Sequence, residues 1–197
     1  MNPITHFLVG WEIAHAAENT ARDRALIALA GVFPDTDGLG VIVDSANVAL
    51  GRPATFFYTD YHHVLLHGVL GAGVVALACL AAARRRINTV FWAIVAFHAH
   101  LLCDLAGSRG PDPNDFWSIR YLAPFSERLA FTWSHQWPLN GWPNVVLTVF
   151  LLGVLFVRAN TKGYSPLQIV SSKVDRTFVA TVRARWAIAS QAFKFFG

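Results

Sequence analysis

The chain has 197 residues, a length that suits one domain. It is 54% hydrophobic and only 14% charged, where a soluble domain is about a quarter charged, and its mean hydropathy is +0.41. This weighs against an ordinary water-soluble protein and towards a membrane protein. The net charge is +4, and residues 166–197, with five basic residues and one acid, account for all of it. The remainder is balanced, so no general basic patch points to nucleic acid. Cys79 and Cys103 both lie in apolar runs and read as small core residues, not as a disulfide or a zinc site. No Lys or Arg precedes Arg22, and Glu12 interrupts the first apolar stretch, so a cleaved signal peptide is not expected.

Residues 4–17 are apolar at helical spacing but too short to span a bilayer upright. His6 stands near their start. Glu12 and His15 have the Glu-x-x-His spacing of a carboxylate-bridged iron site, but no second copy exists in the chain. Residues 18–24 are polar and read as a connection. A second apolar run, Ala25 to Phe33, should stop at Pro34.

Asp35 and Asp37 follow, one residue apart and just before Gly38. Two carboxylates so placed can bend towards one cation, or can form an ordinary Asx-rich turn. Residues 39–61 read as a loop with short helices. His62, His63 and His67 then open a 20-residue apolar run, Val64 to Ala83, long enough to span. His63 and His67 would share a helix face, and three histidines in six positions favour ligands over core packing. Arg84, Arg85 and Arg86 end the run, a positive-inside signal for a short cytoplasmic loop.

The next apolar run, Thr89 to Gly107, carries His100 and Asp104 four apart, on one face of a helix. Such a pair is either a buried hydrogen bond or half of a metal site. His98, two residues from His100, points another way and reads as a packing or supporting residue. Residues 108–140 are polar and rich in Pro and Trp, with His135 between Trp133 and Trp137, and are expected to form a long irregular interfacial loop. A third apolar run follows Gly141-Trp142-Pro143-Asn144 and ends before Arg158 and Lys162. The tail has apolar residues at 167, 170, 174, 178, 182, 186, 189 and 193 with basic residues between them. This pattern predicts a basic amphipathic helix suited to an anionic membrane surface or packed on the bundle.

The expected fold is therefore an all-α helical bundle with about three to five membrane-embedded helices. Residues 1–165 form the metal-binding domain and 166–197 the tail. If the arginine loops lie on one side, His6, Asp35, Asp37, His62, His63, His67, His100 and Asp104 all fall at the other. Four to six ligands fill one coordination shell, so this set suits one to three divalent ions, zinc first, with Mn or Fe as alternatives, or one shell with supporting partners. A His/Asp cluster of this kind favours phosphoester hydrolysis, with Asp35 or Asp37 bridging metals or acting as general base. Two other readings stand beside it. One is a non-enzymatic haem-binding membrane protein with paired axial histidines. The other is a scaffold that kept the fold without chemistry.

At these residues the sequence resembles a family of bacterial inner-membrane proteins described as membrane-bound, metal-dependent hydrolases. The resemblance rests on Thr5-His6-Phe7-Leu8, Pro34-Asp35-Thr36-Asp37, His62 with His67, and His100-x-x-x-Asp104. Trp142-Pro143-Asn144 and Gly163-Tyr164-Ser165-Pro166 extend it over nearly the whole chain. The family commonly has His-Arg where this chain has His62-His63. The resemblance implies a fold related to zinc-dependent phospholipase C and nucleases, a lipid or other phosphoester substrate, and an inner-membrane, multi-pass location with the tail in the cytoplasm. Those phospholipases use a terminal amine as a ligand after processing, which is not expected here without a signal peptide.

Overall fold

The backbone around the arginine-rich connections shows why the bundle has two chemically different ends. The structure is a computed structural model that describes residues 1–16 and 20–195, with side chains described to residue 191. Helix α2 (Ala21–Ala30) starts on Thr20, whose hydroxyl accepts from the Asp23 amide at 3.3 Å and donates to Asp23 Oδ2 at 2.9 Å. The other Asp23 oxygen accepts the Arg84 amide at 2.8 Å. The connection that follows α5 (Val69–Ala82) is thereby tied to the start of α2. Arg22, Arg24 and Arg84 to Arg86 gather at one end of the bundle. Glu18 and Asn19 of that polar connection lie outside the described residues.

The centre is built by α1 (Pro3–Ala16), α2, α5 and α6 (Arg86–Gly107), which pack on one another around Ala14, Ile27, Ala30, Val75, Ala93, Ala96 and Phe97. Alanine at so many contacts lets the helices approach closely. The crossing of α1 and α2 is closer still. A Cβ on Gly31 would lie 2.9 Å from the His6 carbonyl oxygen and 3.2 Å from the Gly10 Cα. Both are backbone atoms and cannot rotate aside. Gly31→Ala should therefore destabilise the protein by about 1–3 kcal/mol through overpacking, read as a lower melting temperature in detergent. An unchanged melting temperature would show that this crossing relaxes freely.

Beyond α2, Pro34 starts a 3-10 helix, Phe33–Leu39, that bends the chain into α3 (Gly40–Ala49) and a short α4 (Phe57–Tyr61). Helix α7 (Trp142–Lys162) packs on α1 and leaves Val145, Val146, Val149 and Phe150 exposed. Helices α6 and α7 are long and apolar enough to cross a membrane. Helix α2 with the segment Phe33–Ala49, bent by 54°, passes the same test as a pair. Among the described residues the protein is an all-α bundle with two such helices, or three with the bent pair. Among the described residues the only sheet is a hairpin of β1 (Ser118–Arg120) and β2 (Ala130–Thr132) inside the Trp/Pro-rich loop.

The run Val64 to Ala83 departs from expectation. Helix α5 begins only at Val69 and has 14 residues, about 21 Å of rise, short of a bilayer core of about 30 Å. Residues 62–68 are irregular because Asp37 Oδ2 takes the amides of His63 and Leu66, at 3.2 and 3.1 Å, and Gly68 is extended. His63 and His67 therefore do not share a helix face.

The tail forms α8 (Ser172–Phe195). Asp175 fastens it by accepting the Ser165 amide at 2.8 Å and the Ser165 hydroxyl at 2.6 Å, and Phe178 packs against Leu151 and Leu155 of α7. From Arg183 onward every described position is exposed, Trp186 and Ile188 included. Positions 167 and 170 belong to the preceding turn, and the side chain at 193 lies outside the described residues.

Candidate metal centre

At the end of the bundle away from the arginines, four elements bring polar side chains together. The first turn of α1 supplies His6. The 3-10 turn started by Pro34 supplies Asp35 and Asp37. The irregular stretch before α5 supplies His62 and His67, and α6 supplies His100 and Asp104, one turn apart. Ligand atoms of His6, Asp35, His100 and Asp104 all lie within 4.8 Å of one another, as do those of Asp37, His62 and His67. His63 belongs to neither set. Its φ of 71° is left-handed, and its ring packs on Trp117 with centroids 3.1 Å apart and on His62 at 3.5 Å.

His67 joins the two sets. Its Nδ1 is 3.1 Å from Asp37 Oδ2, and its Nε2 is 3.2 Å from Nε2 of His100. His100 Nδ1 is 2.8 Å from the Gly31 carbonyl, which can only accept. Both Nδ1 atoms therefore donate. In the neutral rings the two Nε2 atoms then face each other with lone pairs. Asp104 Oδ2 stands 2.9 Å from His100 Nε2 and 3.8 Å from His67 Nε2, and Asp35 Oδ1 is 3.8 Å from His100 Nε2. Asp104 Oδ2, Asp35 Oδ2 and His6 Nδ1 are buried and have no hydrogen-bond partner in the protein. Lone pairs converging in a buried site repel one another unless a cation lies among them. Burial is the main force holding the His67 and His63 imidazoles neutral, against the Asp37 hydrogen bond at His67 and reinforced by His67 and His62 at His63. The neutral form is the one that ligates a metal.

The other oxygen of Asp104 is crowded with donors. It faces His6 Nε2 at 3.0 Å, the Ser108 hydroxyl at 2.8 Å and the Met1 amino group. That amine also meets Ser108 Oγ at 2.5 Å. The terminal amine thus stands at the site as a donor to Asp104. Ser108 was open to discovery as the i+4 neighbour of Asp104, whereas nothing local in the sequence flags Met1. Asp37 is equally well supplied. It accepts from His62 Nδ1 at 2.7 Å, from His67 Nδ1 and from two backbone amides.

A cavity of about 640 Å³ opens onto these groups, lined by Met1, Asp35, Tyr58, His62, Asp104 and Trp117 among others. No Lys or Arg side chain lines it among the described residues. An anionic ligand entering it would meet the Asp35 and Asp104 carboxylates, with the Met1 amine beside them.

The remaining candidates lie elsewhere. His98 donates from Nδ1 to the Ile94 carbonyl at 2.8 Å and takes the Tyr121 hydroxyl on Nε2 at 2.9 Å. His135 is exposed beside Trp133 and Ser134. Glu12 pairs with Arg158 at 2.5 Å, and His15 Nδ1 bonds the Trp11 carbonyl at 2.9 Å.

Neither curated proteins nor solved structures give a match to this chain. Residues 1–188 match the family model described as YdjM inner membrane protein, and with the bundle of membrane-capable helices this places the chain in the YdjM inner membrane protein family.

Proposed function

We propose that this inner-membrane protein is a metal-dependent hydrolase acting on a phosphoester, with lipid headgroups among the candidate substrates. The observation that carries the reading is the pair of Nε2 lone pairs of His67 and His100, 3.2 Å apart beside unpartnered carboxylate oxygens of Asp104 and Asp35. Mixed imidazole and carboxylate donors suit zinc, with Mn or Fe as alternatives. His67, His100, Asp104 and Asp35 would hold the ion, with His6 against the far oxygen of Asp104. One to three ions remain compatible with the two residue sets.

A bound divalent ion would supply an acidified water and positive charge for phosphoryl oxygens, in a cavity that no Lys or Arg lines among the described residues. Asp35 lines the cavity with a buried, unpartnered oxygen and is placed to take a proton from an attacking water. Asp37 has the different role of holding His67 and His62 in orientation, because four donors already occupy its oxygens. The arginine end of the bundle faces the cytoplasm by the positive-inside rule, which puts the metal end outside and α8, following α7, inside. Haem between His67 and His100 is disfavoured by their spacing, which is less than two iron–nitrogen bonds of about 2 Å each.

The test is metal analysis of the purified protein. Zinc, manganese or iron should co-purify or bind on addition, and His100→Ala should abolish binding. Asp37→Asn should keep the metal with about 10–100-fold lower affinity, the usual effect of losing a carboxylate behind a ligating histidine. Failure of every one of these ions to bind the wild-type protein would end the proposal. Hydrolysis of a panel of phosphomonoesters and phosphodiesters then tests the reaction, with a scaffold indicated by metal binding and no turnover.

A further inference from the structure

A second cavity, of about 400 Å³, lies on another side of α6 from the metal centre, within the size range of small-ligand sites. One wall is a single stripe of α6, His98, Leu101, Leu102 and Leu105. The opposite wall is the hairpin segment, with Ile119, Tyr121, Leu129 and Phe131. Its two polar groups satisfy each other. His98 Nδ1 is committed to the Ile94 carbonyl, so Nε2 accepts the Tyr121 hydroxyl at 2.9 Å. A ligand would therefore meet hydrocarbon on every side.

The position of the cavity says which hydrocarbon. Leu102, 65% exposed, stands at its edge on a helix long and apolar enough to cross a membrane. Leu129 and Phe131 form the exposed rim of the other wall. The cavity thus opens where acyl chains of the bilayer run along α6. We propose that it binds one acyl chain of a bilayer phospholipid. The site also shares its framework with the metal cavity. Trp117, Ile119 and Tyr121 follow one another along the segment that runs through β1, Trp117 lining the metal cavity and the other two the apolar one. Helix α6 likewise gives Asp104 to one and Leu101 and Leu105 to the other. A phospholipid held by its chain here would sit beside the metal cavity, but the binding of the chain does not depend on the metal reading.

The experiment uses the full chain in nanodiscs of phosphatidylethanolamine and phosphatidylglycerol, doped with a phosphatidylglycerol carrying a diazirine on one acyl chain. After illumination, labelled peptides are mapped by mass spectrometry. Label should concentrate on residues 101–105 and 129–131. Leu105→Trp, which fills the cavity, should lower it by about tenfold, the equivalent of roughly two methylenes losing their burial. Labelling of Val149 and Phe150 on the exposed face of α7 should not change, and a melting temperature close to that of the wild type would show that the variant is folded. Leu129→Trp, on the hairpin wall, is the second variant should Leu105→Trp misfold. The proposal is overturned by label spread evenly over α6 and α7 and unmoved by either variant. It is equally overturned if filling the cavity leaves lipid labelling intact but dissociates a dimer, because the occupant would then be a second copy of the chain.

Discussion

Asp104→Ala should cost this protein more stability than any other single change at the site, about 3–5 kcal/mol. Asp104 is 1% exposed. One of its oxygens collects the Met1 amine, His6 Nε2 and the Ser108 hydroxyl, and the other faces His100 and His67. Removing the carboxylate strands a buried ammonium and several buried donors without an acceptor, and also removes a proposed ligand. The melting temperature in detergent should fall steeply and metal content should drop to background. Asp104→Asn separates the two effects. It keeps an acceptor oxygen and the side-chain volume but not the charge, so metal should be lost with a smaller fall in melting temperature. An alanine variant as stable as the wild type would mean that these buried donors find other partners.

Asn144→Leu, on the wall of the metal cavity, should have the largest effect outside the proposed ligands. Asn144 is 2% exposed at the start of α7. Its Oδ1 accepts the Trp137 indole N–H at 2.6 Å. Its Nδ2 donates to the carbonyls of Leu139 at 2.7 Å and Gly107 at 2.9 Å. One amide thus pins the end of α6, the start of α7 and the loop between them. Leucine keeps the volume but leaves an indole N–H and two carbonyls buried without partners, each costing about 1–3 kcal/mol. A total loss of about 2–5 kcal/mol is expected after partial relaxation, read as a lower melting temperature and as exposure of the 108–140 loop to protease. Metal should still bind at saturating concentration, because Asn144 touches none of the proposed ligands. Rapid proteolysis of the wild type in the same loop would show that this junction is already open.

Features visible in the sequence are those that act over one or two helical turns. The His100/Asp104 pair shares a face because residues four apart do so on any helix. Helix α2 ends at Ala30, a little before the expected stop at Pro34, and Pro34 in the first turn of the 3-10 helix that follows presents Asp35 and Asp37. The lengths of α6 and α7 follow from uninterrupted apolar runs, and the basic tail reads as a helix from its three-to-four spacing. The placing of Arg22, Arg24 and Arg84 to Arg86 at one end and of the candidate His/Asp set at the other also follows from the order of the elements, and the Asp23–Arg84 bond shows two of those connections meeting.

What the sequence alone determined is an all-α bundle with membrane-capable helices and a His100/Asp104 pair on one helix face. The tertiary structure decided which other groups gather around it. The run from Val64 looks continuous, yet Asp37 draws the backbone of His63 and Leu66 out of helix, so α5 starts late and His63 turns onto Trp117. Met1 reaches Asp104 across 103 residues of sequence, and His67 reaches His100 across 33. Periodicity records how a segment divides between apolar and polar surroundings. It carries no information about which distant carboxylate or amine a buried polar atom will meet, because that choice is made only when the helices pack.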